Sequence, residues 1–165
     1  MRYAYYANLK PRDKATYRRS DEVVKLALRN RAELAPLVAA LANALESEQR
    51  PKIERASQAL ADAISASFDV PRLRVKVLSR RPSTPDSELH GLYDPGDRRS
   101  QPAIRVWMRT SHHGRVVAFR TFLRTLLHEL CHHLDYELLE LEDSFHTEGF
   151  FKRESSLFKQ LVPVV

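Results

Sequence analysis

The stretch VVAFRTFLRTLLHELCHHLDYELLEL, residues 116–141, constrains the fold more than any other part of the chain. Apolar residues recur in it at intervals of three and four, the period of a helix with one face in a core. His128, Glu129 and His132 follow directly on TFLRTLL. The helix therefore enters this histidine pair from a buried core and not from a solvated face.

His128-Glu129-x-x-His132 reads H-E-x-x-H. Four residues is about one helical turn, so both imidazoles project from one face and can meet a single ion at roughly 2.0–2.1 Å. The spacing suits zinc (Zn2+), and Glu129 beside the first ligand is placed to act as general base toward a water that the metal acidifies. That is the apparatus of a hydrolase.

A catalytic zinc site takes three protein ligands and keeps one position open. Candidates for the third are His146, Glu148, Glu154 and Asp135. Asp135 lies one turn after His132 on the same helix, and its better role is to accept a hydrogen bond from an imidazole. His146 follows a short acidic loop that lets the chain reverse, and imidazole is the commonest metal ligand. Glu148 and Glu154 stay open as alternatives.

TLLHELCHHLD followed by SFHTEGFF resembles the signature of the SprT-like zinc metallopeptidases, in which a later H-G-x-x-F-like segment supplies a third histidine. HGLYDPGDRRSQPAIRVWM is similar to that family's glycine-containing strand, exposed loop and edge strand, so the likeness spans about residues 70–160. It implies an α+β zincin-like fold, with His128, His132 and His146 on zinc and Glu129 as the base that drives peptide hydrolysis. The family's glycine after the third histidine is Thr147 here, with Gly149 two positions on. A glutamate third ligand, as in minigluzincins, is therefore the alternative. The family's link to proteins bound on DNA carries over only as a nucleic-acid partner to be tested.

The rest of the chain supplies the frame. At 165 residues it fits one core. We expect a basic, Tyr-rich arm over residues 1–19 and one metallopeptidase domain over 20–165. Ser20, with Asp21 and Glu22 behind it, looks like the cap of a helix that Pro36 interrupts, and Pro51 opens a second helix. Leu73, Val75 and Val77 alternate with basic residues as a half-buried strand does. A loop with Pro82 and Pro85 follows, then strands in ELHGLYD and AIRVWM. The expected fold is thus N-terminal helices, a small mostly antiparallel sheet, the active-site helix and a closing C-terminal helix. Residues 102–108 would form the sheet edge along which an extended peptide substrate lies.

The net charge of +6 is unevenly spread. Residues 1–120 hold 23 Lys or Arg against 13 Asp or Glu, and residues 121–165 hold 4 against 8. Basic residues mixed with Tyr3, Tyr5, Tyr6 and Tyr17 make the arm a candidate nucleic-acid contact, or else a tail that packs its tyrosines on the domain. A non-catalytic, zinc-stabilised binding domain is the rival function. No apolar run approaches membrane-spanning length and the N-terminus lacks the apolar core of a secretory signal, so the expected location is cytoplasmic. The single cysteine, Cys131, excludes an internal disulfide and reads as a packing residue. His133 points about a third of a turn away from the metal and is expected to be exposed or to support a ligand. His90, His112 and His113 are expected at the surface. Tyr93, Tyr136, Lys152 and Arg153 are candidates to stabilise an oxyanion.

Overall fold

In the computed structural model, which describes residues 2–84 and 87–163, the histidine-bearing helix α4 (Phe119–Glu137) occupies the centre. Phe122, Leu123, Leu126, Leu127, Leu130 and Leu134 are all buried at helical spacing, and Cys131 packs among them. This face packs on the sheet and on the last helix, α5 (Glu148–Leu161). Thr147 caps α5, its side-chain oxygen accepting the Phe150 N–H at 2.9 Å.

Three strands form the main sheet: β1 (Arg74–Arg80), β4 (Gly91–Asp94) and β5 (Ala103–Arg109), in the order β1-β5-β4. β4 and β5 are antiparallel, with Gly91 opposite Val106, whereas β1 and β5 run parallel, with Val75 opposite Ile104. Between β1 and β4 a two-stranded ladder pairs β2 (Ser83–Thr84) with β3 (Ser87–Glu88). Pro82 precedes this ladder, and Pro85 lies outside the described residues. The sheet is mixed and not mostly antiparallel. β5 is its central strand, not the edge expected at 102–108. Val106, Trp107 and Met108 are buried in succession, as a strand covered on both faces requires.

The two real edges differ. Along β1, side chains of α3 (Arg50–Ser67) occupy the backbone. Gln58 donates to the Leu73 carbonyl at 2.9 Å and accepts the Val75 N–H at 2.8 Å, and Glu54 accepts the Val77 N–H at 3.0 Å. Among the described residues no strand pairs with the outer side of β4. An uncovered edge is a template for another extended chain, and this one lies against α4.

The N-terminal region departs from the expected arm. A 3₁₀ turn (Ala4–Asn8) leads into α1 (Pro11–Glu22), with Pro11 at its first position, and Tyr17 is fully buried. Ser20 is not a helix cap: it lies near the end of α1 and is buried. Residues 23–30 then run without helix, burying Leu26 and Leu28. The Gln160 amide holds this segment, accepting the Leu28 N–H at 2.9 Å and donating to the Leu26 carbonyl at 2.7 Å. α2 (Arg31–Glu46) contains Pro36 without being divided by it. α2 and α3 pack on each other, and α3 covers β1. Among the described residues no helix is long and apolar enough to cross a membrane.

Candidate metal centre

His128 and His132 present their rings from adjacent turns of α4, and the chain between α4 and α5 reverses to bring His146 onto them. The Nε2 atom of His146 lies 3.1 Å from that of His128 and 3.1 Å from that of His132. One nitrogen from each ring lies within 4.8 Å of the others. Around a tetrahedral ion at roughly 2.0–2.1 Å, neighbouring ligand nitrogens stand about 3.3 Å apart. Both distances to His146 are close to that spacing, and the remaining pair lies within 4.8 Å.

The hydrogen bonds behind the rings decide what the Nε2 atoms offer. Glu154 Oε1 accepts from His128 Nδ1 at 2.8 Å, so a neutral His128 carries its proton there and keeps a lone pair on Nε2. Ser144 Oγ donates to Asp135 Oδ2 at 2.7 Å. It must therefore accept from His132 Nδ1, also at 2.7 Å, which leaves His132 with a lone pair on Nε2 too. His146 can donate one proton from Nε2 and satisfy one of these neighbours, not both. Three converging nitrogens of this kind are satisfied together by a cation. The three histidines thus lie close enough to bind a metal ion, with His128 and His132 held in the tautomers that ligation through Nε2 needs.

Electrostatics agree. Burial, then the neighbouring His128 and His146, push the His132 pKa down to about 3, so the ring stays neutral as a ligand must. Burial and His128 lower His146 in the same way. At His128 burial disfavours the charged form, but the Glu154 hydrogen bond and the charges of Glu129 and Glu154 outweigh it and raise the pKa. Metal binding must then displace a proton from that ring alone at mildly acidic pH.

Glu129 stands beside the cluster and is buried. Burial raises its pKa to about 7, opposed by His128 and reinforced by Glu154. Its neighbour is Gly91 of β4: a Cβ there would come within 2.8 Å of Thr125 Cγ2 and 3.0 Å of Glu129 Oε1. A side chain at this position would displace the carboxylate, so glycine lets the strand lie directly on the acid. Two cavities of about 390 and 320 Å³ meet here, sharing Gly91, His128 and Glu129 in their linings. They form a groove along β4, with His146, the most exposed of the three rings, on its wall.

The raised pKa of Glu129 gives a prediction for the metal-free protein. Between the unfolded value near 4.5 and about 7 the folded state holds a proton that the unfolded chain has lost, so this group's contribution to stability falls as pH rises through that window. Glu129→Gln should therefore gain on the unaltered protein from pH 4.5 to 7, reaching roughly 3 kcal/mol and levelling off above. Thermal unfolding with chelator across that range is the measurement; a difference that does not change with pH would refute it.

The structure sorts the other candidates. Glu154 does not enter the cluster: it orients His128, with Arg124 3.6 Å from its second oxygen. Glu148 pairs with Lys152 at 3.0 Å at the start of α5. Asp135 reaches His132 only through Ser144. Its other oxygen pairs with Arg153 at 2.8 Å, both side chains being completely buried. Arg153 is thus no oxyanion donor. It also donates to the carbonyls of Ser20 and Val23, tying α1 to α5. Lys152 faces solvent. Tyr136 donates to Asp143.

His133 is neither exposed nor a ligand. Its Nε2 donates to the Pro71 carbonyl at 2.7 Å, which fixes Nδ1 as the acceptor for the Tyr93 hydroxyl at 2.9 Å. Tyr93 in turn stacks on His132, the ring planes 16° apart. His112 and His113 lie at the surface as expected, and His90 lines the larger of the two cavities.

Two contributors had no signal in the sequence. Ser144 is one of many serines and is distinguished only by its place between Asp135 and His132. Tyr5 donates to the backbone carbonyl of His146 at 2.8 Å from the far end of the chain. Ser144→Ala should weaken metal binding about 10- to 100-fold and lower metal-free stability by about 1–3 kcal/mol, since the buried Asp135 carboxylate loses a donor. Competition titration against a chromogenic chelator reads the first quantity, and an unchanged affinity would remove Ser144 from the site.

Scans against protein-family models, curated proteins and solved structures found no match to this chain.

Proposed function

We propose that this chain is a zinc-dependent metallopeptidase of the SprT-like kind, hydrolysing peptide bonds in a polypeptide laid along β4. The observation that carries this reading is the convergence of His128, His132 and His146 Nε2 atoms next to a buried Glu129, below an open strand edge. An all-imidazole set of three suits zinc, which when bound lowers the pKa of a water and polarises a carbonyl.

The chain's own groups supply the rest. Glu129, with a pKa near neutrality, is placed to take a proton from the attacking water and to pass it to the leaving amine. β4 offers its outer N–H and C=O groups to an extended peptide, which adds as a further strand and carries its scissile bond past Gly91. Glu154 and the Asp135–Ser144 pair hold His128 and His132 in the tautomers that ligation needs. The Tyr93 hydroxyl proton is committed to His133, so Tyr93 serves as a wall that fixes His132.

The test combines two measurements on purified protein never exposed to chelator. Anomalous scattering collected above and below the zinc absorption edge should place a peak among the three imidazoles. Hydrolysis of an unfolded protein substrate should be abolished by chelator and restored by zinc. A zinc peak without hydrolysis of any broad substrate would replace the enzyme by a zinc-stabilised binding domain, and no peak would end both readings.

A further inference from the structure

A cavity of about 830 Å³, larger than the two beside the imidazoles, lies elsewhere. It lies along the outer face of α5, between that helix and the extended segment after α1. Its size is within the range of ligand sites. Ser155 and Ser156 line it where longer side chains would fill it. Val24 and Phe151, two of the few large apolar side chains left exposed, also face it.

Cations surround this floor. Lys25, Arg31, Lys152 and Lys159 all line the groove, against one carboxylate, Glu148, which is paired with Lys152. Lys25 and Lys159 have no carboxylate partner among the described residues. Like charges collected around a concave surface repel one another and attract an anionic occupant.

Phe151 joins the two regions. Its ring packs 5.6 Å from His146 and 6.1 Å from His128, and it also lines the groove. Phe151 thus borders both the imidazoles and the groove, with Tyr3 packed edge-on against it at 6.4 Å. Exposed Val24 and Phe151 beside these cations suit acidic residues interspersed with apolar ones better than a phosphodiester backbone.

We propose that this groove is a secondary binding site for an acidic, apolar-containing stretch of the polypeptide substrate, and that it directs the site toward acidic proteins. The inference rests on the peptidase reading for the word substrate, but the binding itself does not.

The test uses the full chain carrying Glu129→Gln, supplied with zinc, and a fluorescein-labelled peptide of alternating Glu and Leu. Fluorescence anisotropy should show binding that weakens steeply with salt, and Lys25→Glu/Lys159→Glu should weaken it about tenfold or more. A Lys-for-Glu version of the peptide should bind at least about tenfold more weakly than the acidic one. With Glu129 intact, the same double variant should hydrolyse a short uncharged peptide at the unaltered rate.

Equal affinity of the acidic peptide for both proteins overturns the proposal. So does single-stranded oligothymidylate that outcompetes the peptide and is itself lost in the double variant, since the groove would then belong to nucleic acid. Acidic-peptide binding without hydrolysis by any Glu129-intact protein would refute the peptidase and leave the groove's preference standing.

Discussion

Replacing Glu129 by Gln should leave metal affinity within a few-fold of the unaltered protein and slow peptide hydrolysis by about 10²- to 10⁴-fold, the usual contribution of a general base. The amide has the volume of the carboxylate, so it fits the narrow space beside Gly91 and Thr125. It makes no demand on His132 or His146. What it cannot do is accept a proton. Metal content by mass spectrometry and turnover of an unfolded substrate should be read on the same preparation. Turnover within a factor of a few would take Glu129 out of the chemistry, whereas loss of metal and activity together would place it among the ligands.

The second large effect is structural. Arg153→Met should cost about 3–5 kcal/mol, because Asp135 would remain as a completely buried carboxylate without its partner. The carbonyls of Ser20 and Val23 would also lose their donor. For a domain of this size the melting temperature should fall by about 10 °C. The double change Arg153→Met/Asp135→Leu removes the stranded charge and should recover part of that loss. It should not recover metal affinity, because Ser144 would no longer have an acceptor to fix the His132 tautomer. Equal recovery of stability and metal binding would show that Asp135 does nothing for the imidazole.

The α4 half of the site was legible because helical spacing alone puts His128 and His132 on one face. His146 is a weaker inference, favoured over Glu148 and Glu154 but not decided, since a loop can return a residue to the metal in many ways. The geometry removes both: one faces Lys152, and the other binds the back of His128. Burial made the difference for Arg153 and His133. Each carries polar atoms that a sequence reader sends to solvent or to substrate, yet both are completely enclosed because their partners lie far away in the chain.

Helix α1 was missed for a related reason. Its buried stripe is Thr16, Tyr17 and Ser20, mostly small polar residues, so no apolar period marks it. Ser20 followed by two acids has the chemistry of a helix start, but α1 ends at Glu22 and the chain runs without helix through residues 23–30, burying Leu26 and Leu28. In β5, Val-Trp-Met is a run without alternation, which is what a central strand shows.

The partners of Arg153 have a consequence for how the molecule matures. Ser20 and Arg153 are 133 positions apart, and Tyr5 and His146 are 141 apart. Contacts of such long range close late, after the loop between them has been paid for in entropy. A chain emerging from the ribosome therefore carries its first two imidazoles on a helix that has no third ligand, no Glu154 and no Arg153 behind Asp135. On the proposed reading, a metal should be bound only by chains long enough to bring Ser20 and Arg153 together, and a nascent chain halted before α5 should remain metal-free.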